Sequence, residues 1–202
     1  AVEPELTPIE ETMACLATLK EEGKVRAIGI SNVTIEQIDR YRAAGDIASH
    51  QLRYSMLFRA PENDLLPYCA EHNVASICYM SLEQGLLTGK VGPDRSFNAG
   101  DWRANAEQWL PWFRRESRQK LLDMFSGWQD LLEHHNCTIA QLVIAWTAAQ
   151  PGATHILCGL RTADQGIETA GAAAVLLSES DLERISFDLI ALGNPVTDAL
   201  ES

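Results

Sequence analysis

The chain has 202 residues, 46% of them hydrophobic and 22% charged, which excludes a disordered polypeptide and allows one sizeable core. A formal net charge of -12 argues against nucleic acid as a partner, because phosphate backbones are met by clustered Lys and Arg. No apolar run approaches the roughly 20 residues that a membrane span requires, so no membrane partner is expected.

The opening AVEPELTP has the pattern of neither a signal nor a transit peptide. With no initiator Met, the chain is expected to be processed or to be a piece of a longer one. Thr7 as N-cap, Pro8 at the first helical position and Glu10 and Glu11 in the first turn predict a helix start. Met13, Leu16 and Leu19 then recur at helical spacing until Gly23. Lys24 to Ile30, KVRAIGI, is a strand candidate with Ser31 and Asn32 at its carboxyl end. Thr34 caps a second helix through Ile35, Ile38 and Tyr41, ended by Gly45. The run from Ile47 to Leu57 holds a further strand carrying His50, Gln51, Arg53 and Tyr54. Pro61 and Asn63 lead into a helix from Asp64 to His72, and Ala75 to Tyr79 is a short apolar strand.

Beyond Tyr79 the chain turns polar and flexible, with Ser81, Glu83, Gln84, Gly85, Thr88 and Gly89. A buried strand emptying into a glycine-containing loop is how parallel α/β folds build ligand sites. The glycines let backbone amides approach an anion, and Tyr79 at the rim can stack on a flat ring. On spacing alone, an ordinary surface turn fits equally. From Val91 to Trp112 the pattern breaks, with Gly92, Pro93, Gly100, Pro111 and tryptophans at 102, 109 and 112. Such a connection is either an active-site rim or an insertion packed on the surface. A long helical stretch from Phe113 to His135 follows, then a Thr138-capped helix, IAQLVIAWTAA, broken by Pro151-Gly152. Thr154 to Cys158 is a strand, Gly159 begins a turn, and Ala163 to Val175 is a helix. Ser178 caps the last helix, Glu179 to Leu192.

This alternation predicts a single α/β domain over residues 1–202 with a parallel sheet. The strand ends at Ser31-Asn32, Gln51, Tyr79 to Ser81 and Gly159 to Arg161 are expected to converge on one face, the physical argument for a ligand site. The five cysteines (15, 69, 78, 137 and 158) lack CxxC spacing and read as reduced, buried thiols of a cytoplasmic protein. The five histidines show no metal-ligand spacing, and His134 and His135 suit a helix C-terminus.

Three segments resemble the aldo-keto reductase family. PIEETMACLATLKEEGKVRAIGISN is similar to a helix and strand ending in that family's Ser-Asn pair. YMSLEQGLLTGK resembles its Tyr-Ser-Pro-Leu-x-x-Gly-Leu-Leu-Thr-Gly-Lys stretch, and CGLRTADQGIET its C-terminal cofactor motif. The resemblance covers nearly the whole chain. It implies a (β/α) barrel enzyme that uses NADPH to reduce aldehydes and ketones, with a small carbonyl substrate. By position, Ser31, Asn32 and Gln51 are implied to hold the nicotinamide carboxamide, whose donor and acceptor suit amides and hydroxyls. Tyr79 is implied to stack on the nicotinamide ring. The loop of Met80, Ser81, Leu82 and Gly85, with Leu87 and Lys90, is implied to wrap the pyrophosphate. Gly159 and Arg161 approach the adenosine phosphate in this comparison, and Gln165, Glu168 and Thr169 the adenosine end.

Met80-Ser81 stand where the family usually has Ser-Pro, and Thr169 where it has Asn, which loosens the loop and weakens the adenine contact. The family's catalytic Asp, Tyr, Lys and His come from the first four strands, ahead of the segment matched here, so no catalytic residue is assigned. Tyr41, Tyr54 and Tyr68 read as packing residues. Four strands make about half of a barrel that needs eight strands and typically about 250 residues. The chain is therefore expected to be the C-terminal part of a longer reductase, with a dimer of half barrels or a rearranged fold as alternatives. An alternative function is a non-catalytic nicotinamide-nucleotide-binding or regulatory module.

Overall fold

A computed structural model describes residues 7–195, which divide into two compact units. The first runs through Tyr54 and adds Phe58–Tyr79 and Gln150–Leu157; the second holds Ser55–Leu57, Met80–Ala149 and the chain from Cys158 onward.

In the first unit, strands β1 (Gly29–Ser31), β2 (Ser49–Arg53), β3 (Ala75–Tyr79) and β4 (His155–Ile156) form one sheet in that order, all neighbours parallel. Parallel neighbours need crossover connections. Helices α2 (Ile35–Ala44) and α3 (Leu65–Glu71) supply the first two, after an initial α1 (Ile9–Glu21). The α2 start is a capping box: Gln37 N donates to Thr34 Oγ1 at 3.3 Å and Thr34 N donates to Gln37 Oε1 at 2.9 Å. Burial alternates along β2 and β3 with the strand period of two. His50, Leu52, Ser76 and Cys78 are buried, while Gln51, Arg53, Ile77 and Tyr79 are half-buried. Ile9, Met13, Ile28, Ile30, Ile38, Ile47, Cys69 and Val74 form the core cluster, against which Tyr41 and Tyr68 pack.

The second unit is helical, with α4 (Arg115–Ser126), α5 (Gln129–His135), α6 (Ile139–Ala148), α7 (Ala163–Gly171) and α8 (Glu179–Leu192). Helix α6 is buried from Leu142 to Thr147, as its almost wholly apolar sequence demands. Polar links join α8 to the α4–α5 region, among them an Arg184 Nη2 bond to the Gly127 carbonyl. Trp128 Nε1 donates to Asp188 at 2.7 Å, His135 Nε2 lies 3.1 Å from Asp181 Oδ2, and Arg184 pairs with Asp130. The segment after Lys90 carries two short 3₁₀ turns, Trp102–Gln108 and Pro111–Phe113. The buried Arg118 holds its start, donating to the carbonyls of Gly92 at 3.0 Å and Arg95 at 2.9 Å. Trp102 packs on Phe113 yet stays about half exposed, as does Trp109.

Several boundaries differ from expectation. Pro8 rather than Thr7 is the N-cap of α1, its extended ψ of 141° holding the chain out of the helix. The strand expected from Lys24 starts only at Gly29, because Lys24 N and Val25 N still donate to Leu19 O behind the left-handed Gly23. Asp64 and His72 cap α3 instead of belonging to it. The stretch from Phe113 to His135 breaks at Gly127-Trp128, where the Gly127 N–H is shared among the Asp123, Met124 and Phe125 carbonyls. The strand expected over Thr154 to Cys158 keeps two residues, and the helix expected to Val175 ends at Gly171 with a 3₁₀ turn after it. Cys15 is exposed, two residues past the buried Met13 on α1, so not every thiol is buried. His134 and His135 do occupy the last turn of α5.

Gly152 has φ of 85°, and a Cβ there would stand 2.6 Å from the Leu66 carbonyl oxygen. Gly23 has φ of 72° with nothing within 4 Å. Urea denaturation should therefore show Gly152→Ala losing about 3 kcal/mol and Gly23→Ala only about 1 kcal/mol. Equal losses would contradict the close approach at Leu66. Burial opposes the charge of Asp181, yet hydrogen bonds from Ser178 and His135 hold its carboxyl below the ordinary range. A lowered folded pKa gives stability that is complete above the unfolded value of about 3.9 and lost as pH falls through the folded one. Thermal unfolding between pH 3 and 7 should accordingly show a shallower acid loss in Asp181→Asn than in the parent chain.

Candidate functional site

The ladder of the first unit decides which side chains meet at the strand ends. Ser31 pairs with Gln51, and Arg53 with Tyr79. Ser31 Oγ donates to the Gln51 carbonyl at 3.1 Å, and Asn32 N donates to the same oxygen at 3.0 Å. Asn32 takes a left-handed φ of 56°, which Asn tolerates better than most residues. That turn brings its Oδ1 to the Tyr79 hydroxyl, which donates to it at 2.8 Å. The Asn32 amide nitrogen is left to donate outward. The half-buried Gln51 side chain has no hydrogen-bond partner among the described residues. Ser31, Asn32, Gln51 and Tyr79 are thus brought together, as expected, and offer both donors and acceptors.

The ionisable groups behind this cluster are structural. Burial lowers the basicity of His50, whose Nε2 accepts from Val33 N at 3.5 Å and whose Nδ1 lies 3.9 Å from Cys69 Sγ. Burial likewise pushes the Cys78 thiol up to about 11, so it is no nucleophile near neutral pH. Tyr54 is fully buried, and burial, then its bond to Glu62 at 2.7 Å, drives its pKa upward.

In the second unit the loop after Tyr79 is held in an unusual backbone. Met80, Glu83, Gln84 and Gly85 have φ of 59°, 42°, 53° and 102°. Glu83, 3% exposed, accepts from Ser55 Oγ at 2.7 Å, and Arg103 Nη1 donates to Gln84 O at 3.0 Å. Thr88 Oγ1 donates to Gly85 O at 2.7 Å, closing the turn. Gly89, at φ 72°, lies where a Cβ would meet the Ile139 side chain at 2.5 Å. Leu82 is half-buried and Leu87 fully buried, so the Leu87 side chain belongs to the core. Met80 is exposed, and Ser81 is buried with its Oγ 3.8 Å from Cys158 Sγ. Sequence reasoning missed Ser55, Glu83, Asp101 and Arg103 as loop holders. Their contacts span irregular backbone, where periodicity gives no signal.

Farther along the same unit, Gly159 is open: a Cβ there would meet nothing within 4 Å. The Arg161 guanidinium is exposed and makes no hydrogen bond or ion pair among the described residues. Gln165 is committed to the start of α7, its Oε1 accepting from Arg161 N at 2.8 Å. Glu168 accepts from Lys90 Nζ at 3.2 Å, which joins the loop's end to α7. Thr169 Oγ1 donates back to Gln165 O at 2.9 Å, so its hydroxyl proton serves the helix.

Residues 2–187 match the family model described as Aldo/keto reductase family. The chain belongs to the aldo/keto reductase family. Among relatives it is similar to the NADH-specific methylglyoxal reductase of Escherichia coli, at 41% identity over 90% of this chain and 54% of the relative. It is 31% identical to the aldo-keto reductase yakc [NADP(+)] of Schizosaccharomyces pombe over 89% of this chain and 52% of that one. A glycerol dehydrogenase from Gluconobacter oxydans superposes with a TM-score of 0.82 at 28% identity, over 94% of this chain and 57% of its own. The aldo/keto reductase chain described here thus spans about half the length of the curated relatives it matches. The α/β class with four parallel strands and helices is the one expected. The two named cofactor preferences, NADH and NADP(+), differ between the relatives, so an NADPH preference does not follow from membership.

A double-mutant cycle of Tyr79→Phe and Asn32→Gly should give a coupling of about 1 kcal/mol in urea denaturation. A coupling near zero would show that the hydroxyl–amide bond does not organise the strand ends.

Proposed function

We propose that this chain carries the nicotinamide-dinucleotide-binding part of an oxidoreductase that interconverts small carbonyl compounds and alcohols. The convergence of Ser31, Asn32, Gln51 and Tyr79 carries this reading. A primary carboxamide presents one acceptor and two donors, and the Ser31 hydroxyl with the outward groups of Asn32 and Gln51 complements both kinds. The half-exposed Tyr79 ring, held by Asn32, gives a fixed aromatic face for the nicotinamide. The residues therefore fit the group. When bound, the dinucleotide supplies or accepts hydride, and the chain's residues bind it, orient one ring face and exclude water. In the second unit, Arg161 and Gly159 suit a phosphate, since an uncommitted guanidinium can fork onto phosphate oxygens beside an unobstructed backbone. We read the loop of Met80, Ser81, Leu82 and Gly85, with Leu87 and Lys90, as the pyrophosphate segment. Gln165, Glu168 and Thr169 belong to the adenosine end in this reading.

The proposed cofactor is NADPH, because the exposed Arg161 guanidinium makes no hydrogen bond or ion pair among the described residues and only a longer-range attraction to Asp101. The proposal includes a cytoplasmic setting and a partner for the β1 edge, which pairs only with β2 among the described residues, either an N-terminal half or a second copy. A second reading, nucleotide binding without turnover, is favoured by the two tyrosines whose hydroxyls bond to carboxylates, Tyr68 to Asp39 and Tyr54 to Glu62. Burial and then the bond to Asp39 raise the pKa of Tyr68, and Tyr54 is raised in the same way against Glu62. Both shifts run against general-acid work near neutral pH.

Fluorescence titration with NADPH and NADH, followed by turnover with a simple aldehyde, separates the readings. Arg161→Ala should weaken NADPH about tenfold and NADH little, because only NADPH carries the extra phosphate. Equal losses would remove Arg161 from a phosphate role, and absence of binding to either dinucleotide would remove the proposal.

A further inference from the structure

A run of left-handed residues relaxes unless something holds it. Three of the four such residues between Met80 and Gly85 are not glycine, and each carries strain of about 1–2 kcal/mol. Local hydrogen bonds close the turn from within: Glu83 N donates to Met80 O at 2.8 Å and Gly85 N to Leu82 O at 2.9 Å. From outside, the Gln84 carbonyl is held at 3.0 Å by Arg103 Nη1.

The aim of that guanidinium is itself fixed. Nε donates to Asp101 Oδ1 at 2.9 Å and Nη2 to Asp101 Oδ2 at 2.5 Å, a two-point fork that sets the plane of the group. Asp101 Oδ1 also accepts from Arg103 N at 3.1 Å, so side chain and backbone share one anchor. The Phe97 ring lies under the cation, 4.4 Å from its central carbon. Only Nη1 points away from Asp101, and it reaches Gln84. We infer that Arg103, oriented by Asp101, is a positioning residue that holds the Gln84–Gly85 peptide in the orientation the loop needs to receive a pyrophosphate. This rests on reading Met80 to Lys90 as the pyrophosphate segment, and it gives part of the 91–112 connection a role there. The Arg103 bond holds the Asp101 carboxyl down to about 2, with smaller help from the Arg161 charge. The clamp therefore stays ionised across the physiological pH range.

The test is calorimetric titration of the full chain with ADP-ribose, which carries a pyrophosphate, and with 2′-AMP, which does not. Arg103→Met should weaken ADP-ribose about tenfold while 2′-AMP changes by less than about twofold, with Arg115→Met as a neighbouring control. Arg103→Lys keeps the cation but not the fork, and it should lose as much as Arg103→Met. Thermal unfolding identifies a variant that fails to fold, and the lysine variant then carries the comparison. Parent-like ADP-ribose affinity in a folded variant overturns the inference, as do equal losses for both ligands, which mark general loosening. If the parent chain binds neither ligand, the dinucleotide reading falls and this inference with it. If the parent binds ADP-ribose and the variants match it, only the role of Arg103 falls.

Discussion

The parallel ladder between Ser49–Arg53 and Ala75–Tyr79 is the constraint on which the first unit depends. Strand side chains alternate, so a slip of one residue would send Gln51 and Tyr79 to the buried face and bring His50 and Cys78 out. Such a slip would expose Leu52 and Cys78 and break the contacts of the buried His50, which makes the register expensive to change. This ladder and the one between β1 and β2 together set depth. Gln51 lies level with Ser31 but two residues short of Tyr79, so the tyrosine hydroxyl reaches over to Asn32. Three hydrogen bonds and two registers thus organise groups contributed by three strands.

The second unit meets the opposite problem. Its loop and the connection after Lys90 have few regular partners, so buried polar groups stand in for secondary structure. Glu83 accepts from Ser55, Arg118 gathers two carbonyls, and Arg103 takes a third. A buried charge is tolerated only when hydrogen bonds replace its water, and each of these ions uses backbone or hydroxyl groups for that purpose. Irregular backbone can be as specified as a helix when its carbonyls are counted and held.

The parts legible in the sequence were those with a period or a cap. Thr34, Thr138 and Ser178 announced three helices, and each forms a capping box. ASICY was recognisable as a strand from its short apolar run, and all five of its residues pair with β2. Lys24 to Ile28 misled because their Lys-Val-Arg-Ala-Ile alternation suits a strand while hydrogen bonds keep Lys24 and Val25 at the helix end. Gly127 hid a break because its φ of -72° is helical, and the departure comes at Trp128. The Ser31-Asn32, Gln51 and Tyr79 positions could be named from their places at strand ends. The bond from Tyr79 to Asn32 could not, since it joins residues 47 apart in the sequence.

Gly152 has a consequence for how the chain can vary in length. All of Met80–Ala149 lies outside the first unit, which the chain rejoins at Gln150. Closing a flexible loop grows dearer only with the logarithm of its length, so the exposed loops of that excursion can lengthen or shorten with little effect on the sheet. The point of re-entry has no such latitude, because backbone meets backbone at Leu66 with no room for a side chain. A surface loop within that excursion can therefore change length at less cost to the sheet than a single methyl group added at its return.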